Sequence, residues 1–221
     1  MPHFPSTQWS LLRQAGPTPS GRESFGALVR AYRAPILAFF RARMPADAAQ
    51  DATQSFLAAS YELDWWSRAD AQRGSFRNFL RVLLRRHLSR LRSVREPAAS
   101  ADIAPDDLTD PAPDADHQFD LRFALALTAR AVDAQRAQYG ARGRGDLFET
   151  LLPLLSSPPE HGELKEMAAS LGLPANTLTV EINRLRKRLR EQMRSLVADL
   201  CADAASFAGE WDAVQAILQG R

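Results

Sequence analysis

Seven arginines and no acid lie between Arg77 and Arg95. Arg77, Arg81 and Arg85 follow one another at four-residue intervals, and Arg86 and Arg90 form a second row. Residues four apart share one face of a helix. This spacing therefore makes a cationic flank suited to the phosphates of a nucleic-acid strand. The competing reading is a solvated helix face, weakened by the absence of a balancing acid within the run. A second group lies between positions 176 and 188. Asn176, Thr177, Thr179 and Asn183 offer hydrogen bonds to base edges or phosphates, and Arg184, Lys187 and Arg188 extend a basic surface towards a DNA backbone. Glu181 is the one acid there; it either reads a cytosine amine or keeps clear of a phosphate. No nucleophile–base pair or phosphate-cradling glycine loop is visible, so an enzyme is not expected. His3, His87, His117 and His161 are scattered, and no metal or cofactor is expected.

The elements that must carry these residues are helical. Phe25, Leu28, Val29, Tyr32, Ile36, Phe39 and Phe40 recur at helical spacing over 22–44, with Pro35 expected to divide or kink that segment. A helix capped by Asp47 carries Ala52, Phe56, Ala59 and Leu63 on one face and stops at Asp64-Trp65-Trp66. Ser75 is the expected cap of the next helix, about 76–93. Its stripe of Phe76, Phe79, Leu80, Leu83, Leu84, His87, Leu88 and Leu91 places His87 among packed residues. Trp65 and Trp66 read first as core anchors and second as platforms for unstacked bases.

The run from Glu96 to Asp120 has eight acids and no Lys or Arg. Its proline- and alanine-rich part, 96–118, shows no sustained period and reads as a flexible acidic linker. Helices are expected again from Phe119 to about Tyr139 and over Leu147–Leu155. Further on, Leu164, Met167, Ala168 and Leu171 form a short amphipathic helix. Gly172 follows where a left-handed residue is wanted, and Pro174 fits the first turn of a second helix with Leu178, Ile182, Leu185 and Leu189 inward. Small Ala168 and Ala169 allow close approach. This is the plan of a DNA-binding helix-turn-helix, and its rival is an ordinary helical hairpin with a basic face.

The expected fold is all-α, with two small helical domains (1–95 and 119–200) joined by a mobile linker (96–118). An extension, 201–221, contains Phe207, Trp211, Val214 and Leu218 at helical spacing. It is expected to pack on the second domain or bind a regulator. Hydrophobic residues make up 45% of the chain, enough for a core, and the net charge of +2 hides the alternation of basic and acidic blocks. No apolar run long enough to span a membrane and no signal-peptide pattern is present, so a cytoplasmic protein is expected. The single Cys201 excludes an internal disulfide framework and is expected to be inert.

The segment Asp51-Ala52-Thr53-Gln54-Ser55, followed by Phe76-Arg77 and the basic helix, resembles region two of extracytoplasmic-function sigma factors. The helix-turn-helix resembles their region four. The resemblance covers roughly 22–93 and 120–195. It implies an alternative sigma factor whose partners are core RNA polymerase and promoter DNA. Region two would dock on the beta-prime clamp helices through Asp47, Asp51 and Gln54, and Arg77, Arg81, Arg85, Arg86 and Arg90 would meet the minus-ten element. Region four would bind the beta flap and present Asn176, Thr177, Thr179, Asn183, Arg184, Lys187 and Arg188 to the minus-thirty-five element.

The departures from that family are specific. Gln50 and Ser55 stand where two glutamates are usual, so docking onto a basic clamp is expected to be weak. Phosphorylation of Thr53 by a Ser/Thr protein kinase would restore charge, with Ser55 and Ser60 as alternative sites. Thr179 and Glu181 stand where Lys and Arg are frequent, and Arg90 where Asp is frequent, so promoter sequence does not carry over. The opposite charges of linker and basic helix also make self-screening an expectation. Two rival functions remain: a dimeric helix-turn-helix regulator, which leaves 76–93 unexplained, and a helical adaptor, which would show no salt-dependent DNA affinity.

Overall fold

The computed structural model describes residues 18–66, 74–95, 113–157, 163–170 and 172–220. All regular structure among them is helical, and no strand occurs. They fall into two compact units. One is drawn from Met1–Ala126 and Val197–Arg221, the other from Leu127–Leu196.

In the first unit, α1 spans Pro19–Arg41, α2 Ala46–Glu62 and α3 Phe76–Arg95. Thr18 caps α1, its Oγ1 accepting from the Gly21 N–H at 3.0 Å, and Pro19 occupies the first turn where a missing N–H costs nothing. Pro35 does not divide the segment into two helices. Pro35 lies inside a continuous helix and is itself buried, between Tyr32 and Ile36 in the inward stripe. Asp47 is not the cap of α2. Pro45 holds that position and Asp47 sits in the first turn, where the helix dipole favours a carboxylate. Ser75 precedes α3 as expected, its Oγ accepting from the Asn78 N–H at 3.4 Å.

Helix α4, Pro113–Gly140, starts inside the segment expected to be a linker. Residues 96–112 lie outside the described residues; 113–118 are helical. Ala115, Phe119 and Phe123 repeat every four residues and are fully buried. Phe119 meets Phe39 edge-on at 6.5 Å, and Phe123 stacks on Tyr32 at 5.4 Å. Burying one such ring contributes about 1.5–3 kcal/mol, which fixes this half of α4 to α1. The unit boundary falls within α4, at Ala126/Leu127, rather than in a linker.

The C-terminal segment also differs from expectation. It is helical, α8 spanning Ala204–Leu218 in the chain's last part, with Asp203 and Ser206 forming a reciprocal capping box. It belongs to the first unit rather than to the second. Val214 is buried there, and the Phe76 N–H donates to the Leu200 carbonyl at 3.0 Å.

The second unit begins with the latter half of α4. It adds α5 (Gly145–Leu151), a 3-10 turn (Pro153–Leu155), α6 (Glu163–Ser170) and most of α7 (Ala175–Ala198). Pro153 ends α5 early and starts the tighter turn. Tyr139, Phe148, Leu151, Ala168, Leu178, Ile182 and Leu185 make its core. Between α6 and α7, Gly172 has φ 65°, and the Leu173 N–H donates back to the Ala168 carbonyl at 2.8 Å. Only glycine takes that backbone without a Cβ penalty, so this residue sets the turn. Pro174 stands just ahead of α7, its carbonyl accepting from the Thr177 N–H at 2.9 Å.

Candidate nucleic-acid interface

The outward face of α7 is the more open of the two basic surfaces. Leu178, Ile182 and Leu185 turn inward, which leaves Asn176, Thr179, Asn183, Arg184 and Lys187 exposed and Thr177 half-buried. Arg188 is tied down: its Nη1 donates to the Tyr139 hydroxyl at 3.1 Å and its guanidinium lies over the same ring.

Glu181 is not a base-reading acid. It is 4% exposed, it accepts from Arg184 Nη1 at 2.9 Å, and Arg144 Nη2 lies 3.4 Å away. Burial pushes its carboxyl up, but Arg184 and Arg144 outweigh that and hold it below the usual carboxylate range. Its role in this fold is to hold α7 against the turn before α5 and to set the direction of Arg184.

The flank of α3 is less open than its sequence suggests. Arg77 is 6% exposed. Its Nε and Nη2 donate to Glu210 at 2.6 and 3.1 Å, and Nη1 lies 2.8 Å from Asp120. Burial works against the charge, but the two carboxylates more than offset it and raise the guanidinium pKa. A side chain this enclosed is a structural ion pair, which removes Arg77 from the candidate phosphate contacts. Arg81 Nη1 donates to Asp120 Oδ2 at 3.1 Å, and Arg85 Nη2 donates to Asp116 Oδ2. The acids missing from the basic run are therefore supplied by α4 and α8. Arg86 and Arg90 remain exposed, and the Arg90 guanidinium lies over the Trp65 ring at 5.9 Å.

On α2, Asp47, Asp51 and Gln54 are exposed and spaced four and three apart, so they share one helix face. Thr53 points the other way. It has no exposed surface, and its hydroxyl donates to the Ala49 carbonyl at 2.7 Å. In this conformation a kinase cannot reach it. Ser60 is buried too, accepting from Trp66 Nε1 at 3.1 Å. Ser55 is exposed, and its Oγ is hydrogen-bonded to His87 Nε2 at 2.8 Å. A cleft of about 430 Å³ opens beside it, lined by Arg43, Asp51, Leu88 and Arg92 among others. His87 is a packed residue, as expected; burial and then nearby Arg90 lower its pKa. Trp66 is the core anchor of the tryptophan pair, and Trp65 is half-buried against Phe56 and His87. Burial pushes the Cys201 thiol up to about 12, so it is unreactive at neutral pH.

Self-screening of the basic helix by the acidic segment 96–118 is expected from the sequence without named pairs; Asp116 supplies one such contact, whereas Asp120 and Glu210 lie outside that segment and were missed. One signal was available: Asp116 and Asp120 are spaced i, i+4, as are Arg77, Arg81 and Arg85. Among the described residues no group of three or more His, Cys, Asp or Glu could hold a metal ion. Nor is any helix of theirs long and apolar enough to cross a membrane. No family model matches this sequence, and neither a curated protein nor a solved structure matches it.

Proposed function

We propose that this protein is a small alternative sigma factor that binds core RNA polymerase and directs it to promoters in the cytoplasm. The observation that carries the reading is the α6–α7 turn. A left-handed Gly172 turns the chain between two helices, and the second presents Asn176, Thr179, Asn183 and Lys187 outward from a buried stripe of Leu178, Ile182 and Leu185. The first unit adds a separate surface with the exposed acids Asp47 and Asp51 beside Gln54, as a polymerase-docking face requires. The beta-prime clamp helices are the assigned partner of that face and the beta flap the partner of the helix-turn-helix unit. Its charge is sparse, so docking is made conditional by Ser/Thr phosphorylation. Ser55 is the candidate hydroxyl open to a kinase, and Thr53 becomes one only if α2 opens locally.

The masked state of Arg77, Arg81 and Arg85 favours a second reading, a conventional helix-turn-helix regulator that uses α7 alone. Run-off transcription with core bacterial polymerase on a promoter library separates the two. Wild type, Thr53→Glu, Ser55→Glu and Thr53→Ala would be compared. Promoter-specific transcripts from wild type or from either glutamate variant are expected. Silence from all, with duplex binding in the absence of polymerase, would replace the sigma reading with the regulator.

A further inference from the structure

The arginines of α3 form a graded series. Arg77 is sealed between Glu210 and Asp120. Arg81 and Arg85 are part-open, their side chains 25% and 35% exposed, and each rests on a carboxylate of α4. Arg86 and Arg90 are exposed, with Trp65 under Arg90. The first row is thus locked at Arg77 and part-covered beyond it, while the second row is open to solvent.

The acids that cover the middle of the row match its pitch. Residues four apart on a helix are about 6 Å apart along its axis. Asp116 and Asp120 therefore present two negative charges at the spacing of Arg81 and Arg85, much as successive phosphates of an extended strand would. Asp116 is central: Arg85 bonds it, and Arg81 and Arg43 lie 3.7 and 3.8 Å from it. It sits in the first turn of α4, where helices open most readily.

We propose that Asp116 and Asp120 are a built-in surrogate for nucleic-acid phosphates, masking Arg81 and Arg85 until a single strand displaces them. The occupant is a nucleic acid because a second row, Arg86 and Arg90, lies exposed beside the first on the same helix, with the Trp65 ring under Arg90. Linked phosphates and a base fit that series. Arg77 stays on Glu210 throughout and holds α8 in place. The inference rests on the nucleic-acid reading of α3, but it does not need polymerase.

The test is binding of a fluorescent oligothymidylate to the full chain over a range of salt concentrations. Asp116→Asn is expected to tighten binding about 3- to 10-fold and to steepen the salt dependence, because freed arginines release more counterions from the strand. Adding Arg81→Gln and Arg85→Gln should erase that gain, whereas adding Arg22→Gln at the exposed start of α1 should leave it. In wild-type protein, the oligonucleotide should speed hydrogen exchange of amides in 115–120, a readout that needs no variant to fold. An affinity unchanged by Asp116→Asn in folded protein, or slower exchange in 115–120, would overturn the proposal. Equal competition by polyglutamate of matched charge would overturn the assignment to nucleic acid. A chain that shows the gain yet yields no promoter transcripts keeps this inference and loses the sigma reading; the converse separates them the other way.

Discussion

Arg77 and Glu210 meet in a two-point pair, Nε on Oε1 at 2.6 Å and Nη2 on Oε2 at 3.1 Å, across 133 residues of chain. Both side chains are almost fully enclosed. Removing one partner of a buried pair costs about 3–5 kcal/mol where nothing else compensates the charge left behind, whereas replacing both by apolar groups is often close to neutral. Asp120 still faces Arg77 at 2.8 Å, so Glu210→Ala is expected to lower stability by less, about 1.5–3 kcal/mol, and Arg77→Met with Glu210→Leu to recover most of it. Urea unfolding followed by circular dichroism reads both. Equal losses in the single and double variants would show that the pair is not coupled.

Thr53 and Ser55 sit two residues apart on opposite sides of α2. A glutamate at position 53 would place a charge where the native side chain has no exposed surface, so Thr53→Glu should destabilise the fold by about 2 kcal/mol or more. Ser55→Glu should stay within about 1 kcal/mol, as surface changes do. Thermal melts of the two variants check this. They also decide how a silent Thr53→Glu in a transcription assay is to be interpreted.

His87 links stability to pH. Burial and then Arg90 depress its pKa from 6.5, so the folded state binds fewer protons than the unfolded one just below that value. Its contribution is fully present above pH 6.5 and is lost as pH falls through the lower folded value. Wild type should therefore lose more stability than His87→Gln between neutral pH and mild acid, measured as denaturation midpoints in parallel buffers. Ser55→Glu should raise the His87 pKa, because a carboxylate within reach of Nε2 favours the imidazolium; histidine proton shifts in NMR give that value directly.

On α7, exposed Lys187 and buried Glu181 should behave differently. Lys187→Ala is expected to weaken duplex DNA binding across sequences and to reduce the salt slope by about 1. Glu181→Gln frees Arg184 from its carboxylate, so non-specific affinity should rise while discrimination between sequences falls. The carboxyl is held low, so its stabilisation is present at neutral pH and lost as pH falls through the depressed value; Glu181→Gln should flatten that acid limb. Anisotropy titrations at several salt concentrations, with melts at two pH values, cover both residues.

The helices were legible where a long apolar stripe met a cap or a glycine: α3 behind Ser75, and α6–α7 around Gly172. Pro35 does not divide α1 because a proline removes one hydrogen bond but not the stripe that continues through Ile36, Phe39 and Phe40. The start of α4 was hidden by composition. Its buried repeat begins with an alanine, Ala115, inside a run rich in proline and aspartate, and nothing local distinguishes that from linker. The charge blocks suggested that the arginines would be screened, but which acids meet which arginines lay beyond local reading. Absence of acid within a run says nothing about acids brought from 31 to 133 residues away. Likewise, helical spacing in 204–218 announced an amphipathic helix but could not say which unit it would join.

The first unit takes its members from both ends of the chain, with Leu127–Leu196 inserted between them. Synthesis is vectorial, so Arg77 emerges long before Glu210. At about 5–20 residues per second the interval is roughly 7–27 s. During it the basic helix has Asp116 and Asp120 available but not the carboxylate that seals Arg77. The inserted unit, whose core is contiguous in sequence, can complete its own fold within that window. The topology therefore lets the later domain close first, while the earlier one cannot be completed before the tail emerges.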